Sequence, residues 1–530
     1  MKPHKLALLV TLFAFLWLGV GSAQEKLGKV NFPTSCSPAA QQEFGRAVAL
    51  IHSFYFDAAG KAFAAIAQAD PSCAMAYWGI AMNLRGPVGN PFAGAPSPQA
   101  LKEGVAAIEK AKAIGAKTQR EREWIAALEL FYKDAESVDH RTRAVAYEKA
   151  MGQLAQRYPD DREAAVFYAL ALNVTALPTD KTYAQQLKAA SVLEKVFAEQ
   201  PEHPGVAHYL IHSYDYPPIA YRGLDAARRY ASIAPSAPHA QHMPSHIFTR
   251  RGFWQESIAS NRASAATATD HLNHLHAMDY LAYAYLQGAQ DREAKRVLEE
   301  VRALGKIKIE HFVSAYALAA IPSRFALERG QWAEAATLAL YPSEFPWSRF
   351  PQSEAILVFA RALGAARSGN VAAAKGDLAK LQSFREALAS AKQGYWAEQV
   401  EIQSQVVSAW IARAEGRNDE ALRLLRGASD LEDATEKSPV TPGPILPARE
   451  LLGELLLELG EPKQALAAFE HSMKAEPNRL KGTYGAARAA ELSGDRVKAK
   501  AYYATLVEIA KNADTERPEL REAKAYLAKP

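Results

Sequence analysis

Cysteine is scarce in this chain, with two residues among 530. An excess of charge of one sign is also lacking, because 62 basic and 58 acidic residues leave a formal net charge of +4. This balance argues against a nucleic acid or an anionic membrane as partner. Alternating β-branched runs bounded by turns are nearly absent, which argues against a strand-rich fold. Hydrophobic residues make up 49% and charged residues 23%, as in folded chains.

Long apolar runs are confined to the N-terminus. There MKPHK is followed by LALLVTLFAFLWLGV and by Gly21, Ser22 and Ala23, a pattern typical of a secretory signal peptide. We therefore predict a signal peptide over residues 1–23 and a periplasmic or secreted protein. No later segment approaches the roughly 18 apolar residues of a membrane span. Removal of Lys2 and Lys5 with the signal lowers the formal charge from +4 to about +2.

The two cysteines, Cys36 and Cys73, are expected to be bonded to each other. Export would place them in an oxidising compartment, where disulfides persist. On the chain-entropy model, closing a loop of this length stabilises the fold by about 4 kcal/mol, less any strain. A metal site with two cysteine ligands is the alternative, but the CxxC spacing is absent.

A repeating pattern is clearest near the C-terminus, in LLGELLLELGEPKQALAAFEHSMKAEPN. Small and large residues there have the spacing of a helix-turn-helix unit of about 34 residues. The positions are Gly453, Leu456, Gly460, Ala465, Phe469 and Pro477. One period later the pattern recurs at Gly494, Ala499 and Tyr503. These units resemble tetratricopeptide repeats (TPRs), so we predict an all-α fold, an α-solenoid of TPR-like helix pairs with one long concave groove.

Weaker matches to the same unit extend the array over most of residues 40–510. They lie around Ala59, Gly252, Ala294, Gly330, Gly369 and Gly416. The phrases CAMAYWGIAMN, HYLIHSYD and HMPSHIF resemble a group of exported bacterial TPR proteins of unassigned function. We predict a long array over residues 24–436 with a histidine-rich region at 203–280. A Pro-rich linker at 437–447 is expected to form a hinge to C-terminal repeats over 448–530.

Histidines are concentrated in the middle of the array, where HAQHMPSHIFTRRGFW contains three of the chain's 14. The TPR resemblance implies that the first helix of each pair lines the groove. It places His239, His242 and His246 at groove-facing positions of one unit. In the next unit it places His276 and Asp279 at such positions. The groove-facing side chains of two successive units are therefore expected to meet.

The preceding unit adds His208, His212 and Asp215, which share one helical stripe. Imidazole with carboxylate is the ligand set for zinc, copper, nickel or non-haem iron. Each carboxylate would bind metal directly or hold a histidine tautomer. Without a metal, the same groups would suit general acid and base catalysis. The predicted ligands are therefore His208, His212, His239, His242, His246, His276, Asp215 and Asp279.

Two simpler features accompany this cluster. A single buried histidine bonded to its surroundings needs no function, and we expect a structural role for His140, His203 and His311. Pro244 either kinks a helix that begins at Pro238 or itself begins a shorter helix.

The sequence is compatible with two functions. The first is an exported TPR interaction protein whose groove binds a peptide, a protein partner or a small ligand. The second is a metal-binding protein or a metal-dependent enzyme, hydrolytic or oxidative, that uses the central histidines with zinc, copper or iron. The sequence contains no HExxH, P-loop, GxGxxG or GxSxG motif that would decide between them.

Overall fold

The structure, a computed structural model, describes residues 25–87 and 90–529. In these two ranges every regular element is a helix and no strand occurs. No helix there is both long and apolar enough to cross a membrane. The predicted signal peptide over residues 1–23 lies outside the described residues.

The N-terminal part consists of antiparallel helices that pack in sequence order. Its α-helices are α1 (Pro38–His52), α2 (Phe56–Ala69), α3 (Ala74–Met82), α4 (Pro98–Ile114), α5 (Gln119–Tyr132), α6 (His140–Arg157), α7 (Arg162–Thr175), α8 (Ala184–Glu199), α9 (Pro204–Tyr214) and α10 (Leu224–Ile233). Short 3₁₀ turns cover Pro91–Ala93 and Ala220–Gly223.

The central part continues the same pairing with shorter elements. Its α-helices are α11 (Pro238–His242), α12 (Pro244–Arg250), α13 (Trp254–Thr267), α14 (His271–Gln287), α15 (Asp291–Ala303), α16 (Phe312–Leu327) and α17 (Trp332–Ala335). A 3₁₀ turn at Trp347–Arg349 leads into the C-terminal part.

The C-terminal part contains the most regular pairs. Its α-helices are α18 (Pro351–Arg367), α19 (Val371–Ser390), α20 (Gly394–Ala414), α21 (Asn418–Ala434), α22 (Ala448–Glu458), α23 (Pro462–Ala475), α24 (Leu480–Leu492), α25 (Arg496–Ile509) and α26 (Pro518–Leu527).

The repeat pattern has a direct cause in the packing of α22 and α23. A Cβ atom on Gly453 would lie 2.6 Å from the ring of Phe469, so only glycine lets the two helices approach this closely. Ala465 is fully buried beside them. The turns after α22 and α24 require a left-handed residue, supplied by Gly460 (φ 79°) and Gly494 (φ 84°). The predicted all-α solenoid of TPR-like helix pairs is confirmed.

Cys36 and Cys73 form a disulfide, as predicted. The bond joins the segment just before α1 to the residue that precedes α3. It therefore fastens the N-terminal end of the array.

The buried apolar side chains form two large clusters, one over residues 27–248 and one over 275–499. The break between them falls at the histidine-rich units rather than at residues 437–447. The C-terminal repeats pack onto these central units, because the indole of Trp254 donates to the carbonyl of Asn478 at 2.8 Å. The amide of Leu480 likewise donates to Gln287 at 3.0 Å. Both hydrophobic clusters and the C-terminal repeats therefore border the histidine-rich units.

Residues 437–447, predicted to be a hinge-like linker, instead pack against first helices of the pairs. The hydroxyl of Tyr280 on α14 donates to the carbonyl of Thr441 at 3.0 Å. The guanidinium of Arg324 on α16 donates to the carbonyl of Gly443 at 2.8 Å. Thr441 and Gly443 are both buried. This stretch, the 437–447 segment, is therefore held along the inner face of the solenoid and does not separate two independent arrays.

Candidate functional site

Three successive units bring six histidines together. His208 and His212 lie one turn apart on α9, and His276 lies on α14. The remaining three, His239, His242 and His246, come from α11 and α12. Pro244 is the first residue of α12, so the short α11 ends at His242 just before it. Of the two predictions for Pro244, the structure agrees with the one in which this proline begins a shorter helix.

The six imidazoles form two groups of three. Triad A consists of His208, His212 and His239; triad B consists of His242, His246 and His276. Within each triad, one nitrogen from every ring lies within 4.8 Å of the others. The triads adjoin each other, since the rings of His212 and His246 have centroids 6.1 Å apart.

In triad B the tautomers follow from hydrogen bonding. His242 Nδ1 lies 2.7 Å from the amide oxygen of Asn261, and His246 Nδ1 lies 2.9 Å from the carboxylate of Asp215. Both partners accept, because the Asn261 amide nitrogen is itself engaged with Ser257. Each Nδ1 therefore carries the proton, and each neutral ring presents its Nε2 lone pair. The two Nε2 atoms are 3.0 Å apart.

Two facing lone pairs at this distance repel each other unless a cation lies between them. Burial lowers the pKa of His242 well below its ordinary value, with His276 and His246 adding to the effect. Burial also lowers the pKa of His246, although Asp215 opposes the shift. Neither ring therefore carries a second proton near neutral pH. Nitrogen ligands of one tetrahedral zinc ion lie about 3.3 Å apart, which is close to the observed separation.

Triad A has a similar arrangement, with an acceptor behind the His208 ring. His208 Nδ1 lies 2.6 Å from the carbonyl oxygen of His52, so it carries the proton and Nε2 has the lone pair. Burial lowers the pKa of His208 to about 3. The Nε2 atoms of His208 and His212 are 3.1 Å apart. His239 Nε2 is buried without a hydrogen-bond partner among the described residues.

Asp215 orients His246 and is surrounded by positive charge. Its carboxylate accepts from Arg250 Nε at 2.9 Å and from Lys437 Nζ at 2.9 Å, in addition to His246. Burial alone would raise the pKa of Asp215, but Lys437, Arg250 and His246 together hold it well below its usual range. Of the two roles predicted for this carboxylate, the geometry is that of a hydrogen-bond acceptor behind a histidine.

The repeat position of Asp279 predicted that its carboxylate would lie among the histidines, but in the structure it pairs with Arg324. Its carboxylate lies 3.4 Å from Arg324 Nε, and it belongs to no group of converging donors among the described residues. Burial raises the pKa of Asp279 to about 6 despite the opposing charge of Arg324. The carboxylate therefore pairs with a side chain of α16 and belongs to neither triad.

A third group, the Glu163 network, lies on α1, α7 and the N-terminus of α9. His52 Nε2 and His203 Nε2 donate to the two oxygens of Glu163 at 2.9 and 2.8 Å. The other nitrogen of each ring accepts, from Tyr209 at 3.0 Å and from the amide of Val206 at 3.3 Å. Protons thus satisfy every ring nitrogen here, in agreement with the structural role expected for His203.

A cavity of about 650 Å³ opens onto both triads. His212 and His239 of triad A and His246 and His276 of triad B lie in its wall. Phe92 stacks on His212 with ring centroids 4.4 Å apart, and this fixes the ring plane. The volume falls in the range of small-molecule sites in proteins.

Sequence reasoning missed several residues of the site. Asn261 lies on α13, a second helix of its pair, and nothing in its spacing indicates a role for it. Arg250 follows His246 by one helical turn and could have been noticed as a buried cation on the same stripe. Lys437 reaches Asp215 from 222 positions away, and Phe92 reaches His212 from the 3₁₀ turn Pro91–Ala93. Only the folded chain reveals these two contacts.

No protein-family model and no curated protein matches this chain. Similar solved structures include a human IFIT1 dimer with m7Gppp-AAAA, with 11% identity, TM-score 0.38, and coverage of 78% of this chain and 87% of that one. A tetratricopeptide repeat protein from Parabacteroides merdae has 12% identity, TM-score 0.26, and coverage of 66% and 100%. The Cut9–Hcn1 hetero-tetramer of the APC/C has 11% identity, TM-score 0.30, and coverage of 93% and 96%.

These likenesses are too distant to carry a functional argument. The paired helices, the left-handed turn glycines and the packing of Gly453 on Phe469 nevertheless define the chain as a TPR-like protein. Proteins of this class bind proteins, peptides or other ligands.

Proposed function

We propose that this protein binds two transition-metal ions, one in each histidine triad, and uses them in a metal-dependent reaction at the adjoining cavity. The observation that carries the proposal is the 3.0 Å separation of His242 Nε2 and His246 Nε2, whose Nδ1 atoms are both committed to acceptors. A metal ion held by both nitrogens would turn this repulsive contact into a favourable one.

The donor set restricts the choice of ion. Six neutral imidazoles suit copper and zinc, whereas magnesium, calcium and manganese prefer oxygen ligands. The acceptors behind the rings, Asn261, Asp215 and the carbonyl of His52, match the outer contacts that orient metal-binding histidines. Copper or zinc is therefore the proposed ion, with iron third.

The proposal of a peptide in the groove is less well supported. The inner face beside the triads is already occupied by the 437–447 segment, whose backbone accepts from Tyr280 and Arg324. A peptide lying along this face would have to displace it and break those hydrogen bonds. Binding of a small ligand in the cavity needs no such rearrangement.

The proposed site of action is the periplasm or the outside of the cell. The Cys36–Cys73 disulfide supports this location, because disulfides persist in oxidising compartments. Fractionation of cells that make the full chain tests it. Recovery of the protein only with the cytoplasmic fraction would overturn this part of the proposal.

Elemental analysis of the purified protein tests metal binding. We expect two equivalents of copper or zinc per chain, and one after the double substitution His242→Ala, His246→Ala. The matched control is His271→Ala, His274→Ala, which removes two half-buried histidines of α14 outside the triads. The control protein should retain both ions. Absence of stoichiometric metal in the parent protein, including after incubation with each ion, would refute the proposal.

A further inference from the structure

We infer that the cavity beside the triads receives a small, uncharged molecule with an apolar, ring-sized body and one phenol or alcohol oxygen directed at the metal ions. The inference rests on the proposed function and adds the class of substrate. It follows from the walls of the cavity, the state of its charged groups and the chain that closes it.

The walls are predominantly aromatic and aliphatic. Apolar side chains from separate parts of the chain line the cavity, among them Phe54, Phe56, Phe92, Leu272, Ile309 and Val313. Such walls stabilise an apolar body by about 25 cal/mol for each Å² of apolar surface removed from water. A volume of about 650 Å³ admits a substituted aromatic ring but no folded polymer.

The charged groups at the cavity already have partners. Asp57 and Lys61 are exposed and pair with each other at 2.6 Å. Asp270 caps α14 and accepts from both the amide and the side chain of Asn273 at 2.8 Å. Burial lowers the pKa of His311 to about 4, so this ring is neutral. A charge on the body of the ligand would therefore lose water without gaining a protein partner.

The other polar groups are also engaged. The hydroxyls of Tyr55 and Thr269 lie 3.2 Å apart and bond to each other. His311 Nδ1 accepts from the amide of Val313 at 3.2 Å. With both pairs engaged, the metal ions are the main polar partners left for the ligand, so we assign it a single coordinating oxygen.

 

The cavity is also bounded by the chain itself. Pro439 and Val440 of the 437–447 segment lie in its wall. The neighbouring Lys437 is fixed by its 2.9 Å ion pair with Asp215. This closure excludes an extended peptide and selects a compact ligand.

The experiment compares two probes on protein loaded with cobalt(II), whose visible spectrum reports on its ligands. The probes are 4-methylphenol and 4-hydroxybenzoate, which share the phenol oxygen but differ in charge at the far end of the ring. We expect 4-methylphenol to bind and to change the spectrum. We expect 4-hydroxybenzoate to bind at least about tenfold more weakly, because its carboxylate would be buried without a partner.

Two variants place the binding in the cavity. Ile309→Trp fills space at the wall, whereas Val497→Trp adds the same bulk at a position that is 82% exposed. Ile309→Trp should weaken 4-methylphenol binding at least about tenfold while both metal ions are retained. Val497→Trp should leave metal content and binding unchanged.

The outcomes separate the two proposals. Parent protein that binds no metal refutes the proposed function and this inference with it. Parent protein that binds two ions but does not bind 4-methylphenol, or binds 4-hydroxybenzoate equally well, overturns the substrate class alone. The probe comparison uses only the parent protein, so it stays decisive even if Ile309→Trp fails to fold.

Discussion

Triad B and the Glu163 network are both buried histidine clusters, yet they differ in how their nitrogens are satisfied. In the Glu163 network, His52 and His203 donate to one carboxylate, and their other nitrogens accept hydrogen bonds from neighbours. In triad B, His242 and His246 donate through Nδ1 to acceptors, which leaves two lone pairs 3.0 Å apart. Proximity alone therefore does not identify a metal site; the pattern of donors and acceptors does.

The comparison predicts that metal ions stabilise the protein through the triads and not through the Glu163 network. An ion present at about a thousand times its dissociation constant should raise the free energy of unfolding by about 4 kcal/mol for each site. In the variant His242→Ala, His246→Ala this gain in the free energy of unfolding should be smaller by the contribution of one site. Denaturant unfolding with and without zinc measures the gain. An undiminished gain in this variant would place the ion elsewhere.

Glu163→Gln should destabilise the protein by about 3 kcal/mol and leave metal content unchanged. The side-chain amide nitrogen introduced by this substitution would face the Nε2–H of His203, which needs an acceptor. This tautomer is fixed because His203 Nδ1 accepts from the backbone N–H of Val206. Chemical denaturation and elemental analysis of the same preparation provide the two readouts. Loss of metal on this substitution would contradict the distinction between the clusters.

Acid should weaken the Glu163 network. Burial alone would raise the pKa of Glu163, but His203 and His52 hold it at about 2, below its ordinary value. Because the folded-state pKa is lowered, the stability is present above about pH 4.5 and is lost as the pH falls toward 2. The loss is about 3 kcal/mol for metal-free protein. Glu163→Gln should lack this part of the pH dependence, and equal slopes in both proteins would contradict the assignment.

Asn261→Ala should weaken metal binding in triad B by about 10- to 100-fold, since it removes the acceptor that orients His242. Asn261→Asp keeps an acceptor and should restore much of the affinity. Competition with a chelator of known affinity measures both. If Asn261→Ala and Asn261→Asp weakened metal binding equally, the cause would be a packing defect and not the loss of the contact that orients His242.

Tyr209→Phe should have the smallest effect, a loss of about 1 kcal/mol of stability. It removes the hydroxyl that lies 3.0 Å from His52 Nδ1 and leaves the ring volume in place. Metal content should not change. Thermal unfolding of parent and variant at one pH provides the measurement, and a loss of metal would link the network to the triads.

The sequence predicted the helical architecture because its signals are local. Gly453 and Phe469 pack across one turn of one repeat, and Gly460 supplies the left-handed conformation of that turn. The stripe of His208 and His212 is also local, since residues four apart on a helix face the same way. Repeat register then brought the three histidine-bearing helices together in the prediction.

The sequence did not predict the contacts between segments that are distant along the chain. Asp279 occupies a groove position by register, but Arg324 of the next pair supplies its partner. The 437–447 segment resembles a linker in composition, yet Tyr280 and Arg324 hold its backbone inside the solenoid. Proline and glycine content indicates irregular structure without indicating where that structure packs.

The sequence by itself determined the class of fold, the disulfide pair and the helices that carry the histidines. Each of these depends on spacing within a repeat or on the mere number of cysteines. Only the tertiary structure decided which histidine nitrogens carry protons, because the acceptors Asn261, Asp215 and the carbonyl of His52 come from other elements. That choice of proton position distinguishes a candidate metal centre from a hydrogen-bonded core.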